Sequence, residues 1–135
     1  VGVKDATGDL DRVDKQLKYM GKDFIQLTGE DNNALEFNRR GGVGCISVTA
    51  NVAPKLCSEF QFELSKDINS KRAEEINKLL LPLHKALFIE SNPSPVKYAA
   101  SLLKLSSPNV RLPLVEIKKR TKEEVLKALK IAELI

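Results

Sequence analysis

Short apolar runs alternate with amphipathic stretches through the first half of the chain. Val1, Gly2, Val3 and Lys4 read as a short strand ending on the lysine. Leu10, Val13, Leu17 and Met20 then recur at helical spacing until Gly21 closes the helix. Thr7, Gly8 and Asp9 supply the hydroxyl and carboxylate that cap such a helix. Phe24-Ile25-Gln26-Leu27-Thr28 is the next predicted strand. The turn Gly29-Glu30-Asp31-Asn32 leads from it into a helix bearing Ala34, Leu35 and Phe37, which Gly41 and Gly42 stop. A third strand is predicted over residues 44–49. It is followed by a helix with Pro54 in its first turn and Leu56, Phe60 and Leu64 on one face.

Strands separated by helices long enough for crossovers imply parallel β/α units, in either a doubly wound sheet or a (β/α)8 barrel. No Gly-x-Gly-x-x-Gly pattern follows any of the three strands, which removes the usual sign of a dinucleotide-binding fold and favours the barrel. Beyond residue 66 only helices are predicted, so a boundary falls there. Asp67 or Asn69 caps a long helix whose stripe is Ala73, Ile76, Leu80, Leu83 and Leu87, with Pro82 expected to bend it. His84 lies beside that stripe and reads as a hydrogen-bonded structural histidine, since no second metal-type residue stands at a matching spacing. Asn92-Pro93-Ser94-Pro95 breaks the chain before a helix from Val96 to about Leu105, and residues 108–113 form an extended connection. Thr121-Lys122-Glu123-Glu124 is a capping box predicted to open a terminal helix carrying Val125, Leu129 and Ala132.

Composition narrows the classes. With 135 residues, 42% of them hydrophobic, the chain can bury one modest core. The net charge of +4 comes from 22 basic and 18 acidic residues interleaved along helices. Its densest basic run, Lys118-Lys119-Arg120, is followed by Glu123 and Glu124. That pattern, together with the lack of tryptophan, argues against nucleic-acid binding. Cys45 and Cys57 lack paired metal-ligand spacing and read as buried free thiols in a reducing compartment. No apolar run reaches membrane-spanning length, and no signal-peptide pattern is present. The chain begins at Val1, inside the first predicted strand, so a piece of a longer protein is expected.

Lys4 is the candidate reactive group. Strand alternation sends Gly2 and Lys4 to one face and Val1 and Val3 to the other, where the valines can pack on helices. Among apolar groups an amine favours its neutral form, which attacks carbonyls to give a Schiff base. From these residues alone a solvent-reaching lysine also stands, and the general exposure of lysines favours it.

Gly2-Val3-Lys4-Asp5-Ala6-Thr7-Gly8-Asp9 resembles the lysine-bearing strand and loop of the dihydrodipicolinate synthase family, class I aldolases that include N-acetylneuraminate lyase. Leu27-Thr28-Gly29-Glu30-Asp31, the run from Gly41 to Asn51, Pro82-Leu83-His84, Asn92-Pro93-Ser94-Pro95-Val96-Lys97 and Arg111-Leu112-Pro113 agree in order and spacing. Ser47-Val48-Thr49-Ala50-Asn51 and the Gly29-Glu30-Asp31 turn resemble the synthase branch. The resemblance implies a (β/α)8 TIM barrel followed by a helical domain. Residues 1–66 would be the last three β/α units and residues 67–135 the helical domain, with the N-terminal half of the barrel absent from this chain.

By the same resemblance, Lys4 forms a Schiff base with pyruvate. Its enamine adds to L-aspartate 4-semialdehyde, giving 4-hydroxy-tetrahydrodipicolinate for lysine biosynthesis through diaminopimelate. Ile46 matches a position that contacts pyruvate, and Gly29 the turn lining the same pocket. The family's tyrosine and threonine proton relay and its carboxylate-binding arginine come from earlier strands, outside this sequence. Tyr19 and Tyr98 sit in predicted helices and match neither relay position. A cytoplasmic homotetramer is implied, with no cofactor and no metal, and no nucleic-acid or membrane partner. The fragment alone is expected to be inactive without the missing half of the barrel. The alternatives are a pyruvate aldolase of the N-acetylneuraminate lyase type and a non-catalytic assembly module.

Overall fold

The first predicted strand is β1 (Gly2–Asp5), and it pairs in parallel with β2 (Ile25–Thr28), Lys4 lying opposite Leu27 and Asp5 opposite Thr28. Between them runs α1 (Asp11–Met20), so the first unit is a β/α crossover as the alternation requires. Asp9 Oδ1 accepts the Asp11 N–H at 3.0 Å, and Gly21, at φ 82, returns its N–H to the Leu17 carbonyl.

The computed structural model describes all residues, Val1–Ile135. They form two compact units, one of Val1–Ser47 with Ser58–Asn77 and the other of Val48–Cys57 with Lys78–Ile135. After β2 come a 3-10 turn (Asp31–Asn33), α2 (Ala34–Arg39), a second 3-10 turn (Thr49–Asn51) and the helices α3 (Pro54–Lys66), α4 (Lys71–Ala86), α5 (Ser94–Leu102) and α6 (Lys119–Ile131). No helix is long and apolar enough to cross a membrane.

The third predicted strand contracts to a single parallel bridge between Thr28 and Cys45. Its neighbours still follow the edge of β2. The Val43 N–H donates to Gln26 O at 2.9 Å, the Thr28 N–H to Gly44 O at 3.0 Å and the Ile46 N–H to Thr28 O at 2.8 Å. The expected strand stops short of Thr49 because that residue already belongs to a 3-10 turn, and its hydroxyl lies 2.7 Å from His84 Nδ1 in a buried pair. His84 is thus the hydrogen-bonded structural histidine its position suggested.

The predicted α4 stripe is buried throughout: Ala73, Ile76, Leu80, Leu83 and Leu87 are all at most 1% exposed. Each large member contributes about 1.5–3 kcal/mol by leaving water. Pro82 lies inside this helix. The α4 cap is neither Asp67 nor Asn69. Asp67 Oδ1 is engaged by the Asn69 N–H, and Ser70 Oγ accepts the Ala73 N–H at 3.2 Å while Ser70 O accepts from Glu74.

The proposed capping box of the last helix is also displaced. α6 starts at Lys119, so Thr121 is already inside its first turn, buried. The cap comes from Glu90, whose Oε1 accepts the Lys118 N–H at 2.9 Å and whose carboxylate also engages the Thr121 hydroxyl. Val125, Leu129 and Ala132 are buried as predicted. Cys45 and Cys57 form no disulfide and are only half buried, against the expected full burial.

Candidate active site

Lys4 is the third residue of β1 and is exposed in this chain. Parallel register puts Lys4 and Leu27 on the same face, and alternation adds Gly2, Ile25, Gly29 and Ile46. This face is open: Ile25 is 50% and Ile46 49% exposed. The opposite face is dry, with Gln26, Thr28 and Asp5 buried. The two valines expected to pack on helices behave differently. Val3 is half buried, but the Val1 side chain is fully exposed even though its carbonyl accepts the Ile25 N–H at 3.3 Å.

The structure brings the three predicted site residues to the C-terminal ends of adjoining strand segments. Gly29 immediately follows β2, and its N–H donates to the Asp5 carbonyl at 2.7 Å. A Cβ on Gly29 would stand 2.5 Å from Lys4 Cε and 2.7 Å from Ala6 Cβ, so only glycine leaves the lysine stem its path. Ile46 follows the Cys45 bridge and is held to Thr28 through its own N–H. The turn after β2 is braced by Thr28, whose hydroxyl donates to Asn33 Oδ1 at 2.9 Å and accepts the Glu30 N–H at 3.0 Å.

Sequence reasoning missed Asp5. Next to Lys4 on the strand, its side chain points to the buried face. There it accepts hydrogen bonds from Arg12 Nε at 2.5 Å, the Thr7 hydroxyl at 2.6 Å and the Thr7 N–H at 2.9 Å. Burial pushes its carboxyl upward, but the Arg12 and Thr7 hydrogen bonds outweigh this and hold it down at about 2. Asp5 therefore fixes the loop after β1 to α1, while its carbonyl fixes Gly29. The signal was present in Asp5-Ala6-Thr7, an acid with a hydroxyl two residues on. Tyr19 and Tyr98 lie in α1 and α5.

The chain's relatives agree with one another. The model of the dihydrodipicolinate synthetase family matches residues 1–132. The chain is 61% identical over 137 residues to the 4-hydroxy-tetrahydrodipicolinate synthase of Pelagibacter ubique, covering 100% of this chain and 47% of that protein. It superposes on the dihydrodipicolinate synthase of Thermotoga maritima with a TM-score of 0.93 at 37% identity, covering 100% of this chain and 46% of that one. A synthase of Acinetobacter baumannii solved with pyruvate gives 0.92 at 38% identity, over 100% of this chain and 46% of that one. The chain thus spans about half the length of the curated relatives it matches. Match over nearly every residue, and the same fold in solved relatives, lead to one conclusion: the chain belongs to the dihydrodipicolinate synthetase family.

Proposed function

We propose that this chain is the catalytic-lysine portion of a Schiff-base aldolase that condenses pyruvate with L-aspartate 4-semialdehyde to 4-hydroxy-tetrahydrodipicolinate. The observation that carries the reading is the pairing of Lys4 with Gly29, where the absent side chain is the space the lysine stem uses. Pyruvate bound by the Acinetobacter baumannii relative supports the first substrate.

In this reading the free amine of Lys4 attacks the ketone carbon of pyruvate. The carbinolamine loses water to give the imine, with nitrogen as the electron sink. Loss of a proton from the pyruvate methyl carbon gives the enamine, and that carbon attacks the aldehyde of the second substrate. Cyclisation releases Lys4 and the product. Ile46 and Gly29 line the pyruvate side of the pocket. Residues 1–66 are the closing β/α units of a TIM barrel and 67–135 its helical domain. The remaining barrel strands supply the proton relay and the carboxylate-binding arginine. A cytoplasmic homotetramer serving lysine biosynthesis completes the proposal.

The test is intact mass after incubation with pyruvate and borohydride, followed by peptide mapping. A reduced pyruvate adduct on Lys4, absent from Lys4→Ala, is the expected result. An adduct elsewhere, or none when the complementary part of the barrel is present, rejects Lys4 as the nucleophile. Comparing turnover on aspartate semialdehyde with other aldehydes separates the synthase from a sister pyruvate aldolase.

A further inference from the structure

The second compact unit contains an open cleft of about 580 Å³ whose polar lining consists of Lys97, Ser107, Asn109 and Arg111, with Pro93 and Leu114 among its walls. No carboxylate lines it. Arg12, Arg39, Arg40 and Arg72 each pair with an acidic side chain, whereas Arg111 and the half-buried Lys97 have no ion-pair partner. Ser107 Oγ accepts the Asn109 N–H at 3.2 Å, which leaves its own proton to donate, and the Asn109 amide donors are unused as well. Four side chains able to donate, two of them cationic, thus line one cavity with no carboxylate among them to neutralise the charge.

We infer that this cleft is an anion site, taking a small molecule with a phosphate or carboxylate head between Lys97 and Arg111 and with Ser107 and Asn109 as neutral donors. A planar guanidinium beside a flexible ammonium suits a multivalent oxyanion, the one engaging two oxygens and the other following the remaining charge. Ser107, Asn109 and Arg111 are spaced two apart along the connection before α6, so the site is carried by one loop facing one residue of α5.

The test is titration of the protein, in the form in which it is isolated, with inorganic phosphate and separately with succinate. Ionic strength is held constant so that general screening does not mimic binding. A saturable rise in Tm with either anion is expected, because a ligand of the native state stabilises it by mass action. Saturation by phosphate alone identifies a phosphoryl head, and by succinate alone a carboxylate head. Lys97→Met with Arg111→Met should raise Kd about tenfold or more, the scale of losing charge-assisted hydrogen bonds. The exposed Arg111→Met alone should leave the ligand-free Tm unchanged and still weaken binding severalfold. No saturation with either anion, or an unchanged Kd in the double variant, overturns the site.

Discussion

Gly29→Ala separates the two demands made on one position. The new methyl meets Lys4 Cε, which is flexible, and Ala6 Cβ, which is fixed to the backbone. The second clash should cost about 1–3 kcal/mol of stability by overpacking. Displacing the lysine should slow borohydride-trapped imine formation by up to about a hundredfold, as small misplacements of reacting groups do. Denaturant melts and single-turnover trapping measure the two effects separately.

Asp5 makes a prediction in pH. Its carboxyl is lowered in the folded chain from an ordinary 3.8 to about 2, so its stabilisation is complete above about pH 4 and is lost as pH falls toward 2. Asp5→Asn should cost about 1–3 kcal/mol at pH 7. The lower end is expected because the Arg12 side chain is 46% exposed and partly screened. The gap between variant and parent should narrow between pH 4 and 2; a constant gap would mean that the charge is not what matters. The placement of Lys4, Gly29 and Ile46 at adjoining strand ends was legible in the sequence, because each stands in a contiguous strand-and-turn motif. Asp5 was passed over because Thr7 reads in sequence as a cap for α1, and the ion-pair partner Arg12 stands seven residues on, inside α1.

Helix faces were more legible than helix ends. The stripes of α4 and α6 follow from spacing alone, since only one face of each can be apolar and that face must leave water. Their caps depend on where the chain turns. Ser70→Ala should destabilise by about 1 kcal/mol, because it removes the oxygen that accepts the Ala73 N–H. For α6, Glu90→Ala should speed hydrogen exchange of the amides at residues 118–122 severalfold while the C-terminal half of the helix stays protected. The hydrogen bonds from Thr121 and Lys118 lower the Glu90 carboxyl below its ordinary range, so this protection should persist at mildly acidic pH and fade only as the carboxylate protonates. No reading of Thr121-Lys122-Glu123-Glu124 could find this cap, because the acid that makes it stands 28 residues before the amide it satisfies. The third strand failed for a similar reason. Residues 44–49 have the composition of a strand, but the Thr49 carbonyl accepts the Val52 and Ala53 N–H groups in a 3-10 turn while its hydroxyl meets His84.

At the level of the whole molecule, the sheet keeps one face dry and leaves Ile25 and Ile46 half exposed around Lys4. Open apolar sheet faces promote association. The isolated chain should bind a hydrophobic dye, and Ile25→Ser with Ile46→Ser should reduce that binding while changing stability by less than about 0.5 kcal/mol, as exposed substitutions do. A 15.0 kDa monomer that binds no dye would argue against this face being an interior one. The sequence by itself determined the strand–helix alternation, the buried stripes and the identity of the candidate lysine, because periodicity and contiguous motifs are local properties of the chain. The tertiary structure alone decided which groups satisfy the helix ends, how far the third strand extends and why position 29 must be glycine. Those depend on atoms far apart in sequence meeting within hydrogen-bond or van der Waals distance, which no local pattern encodes.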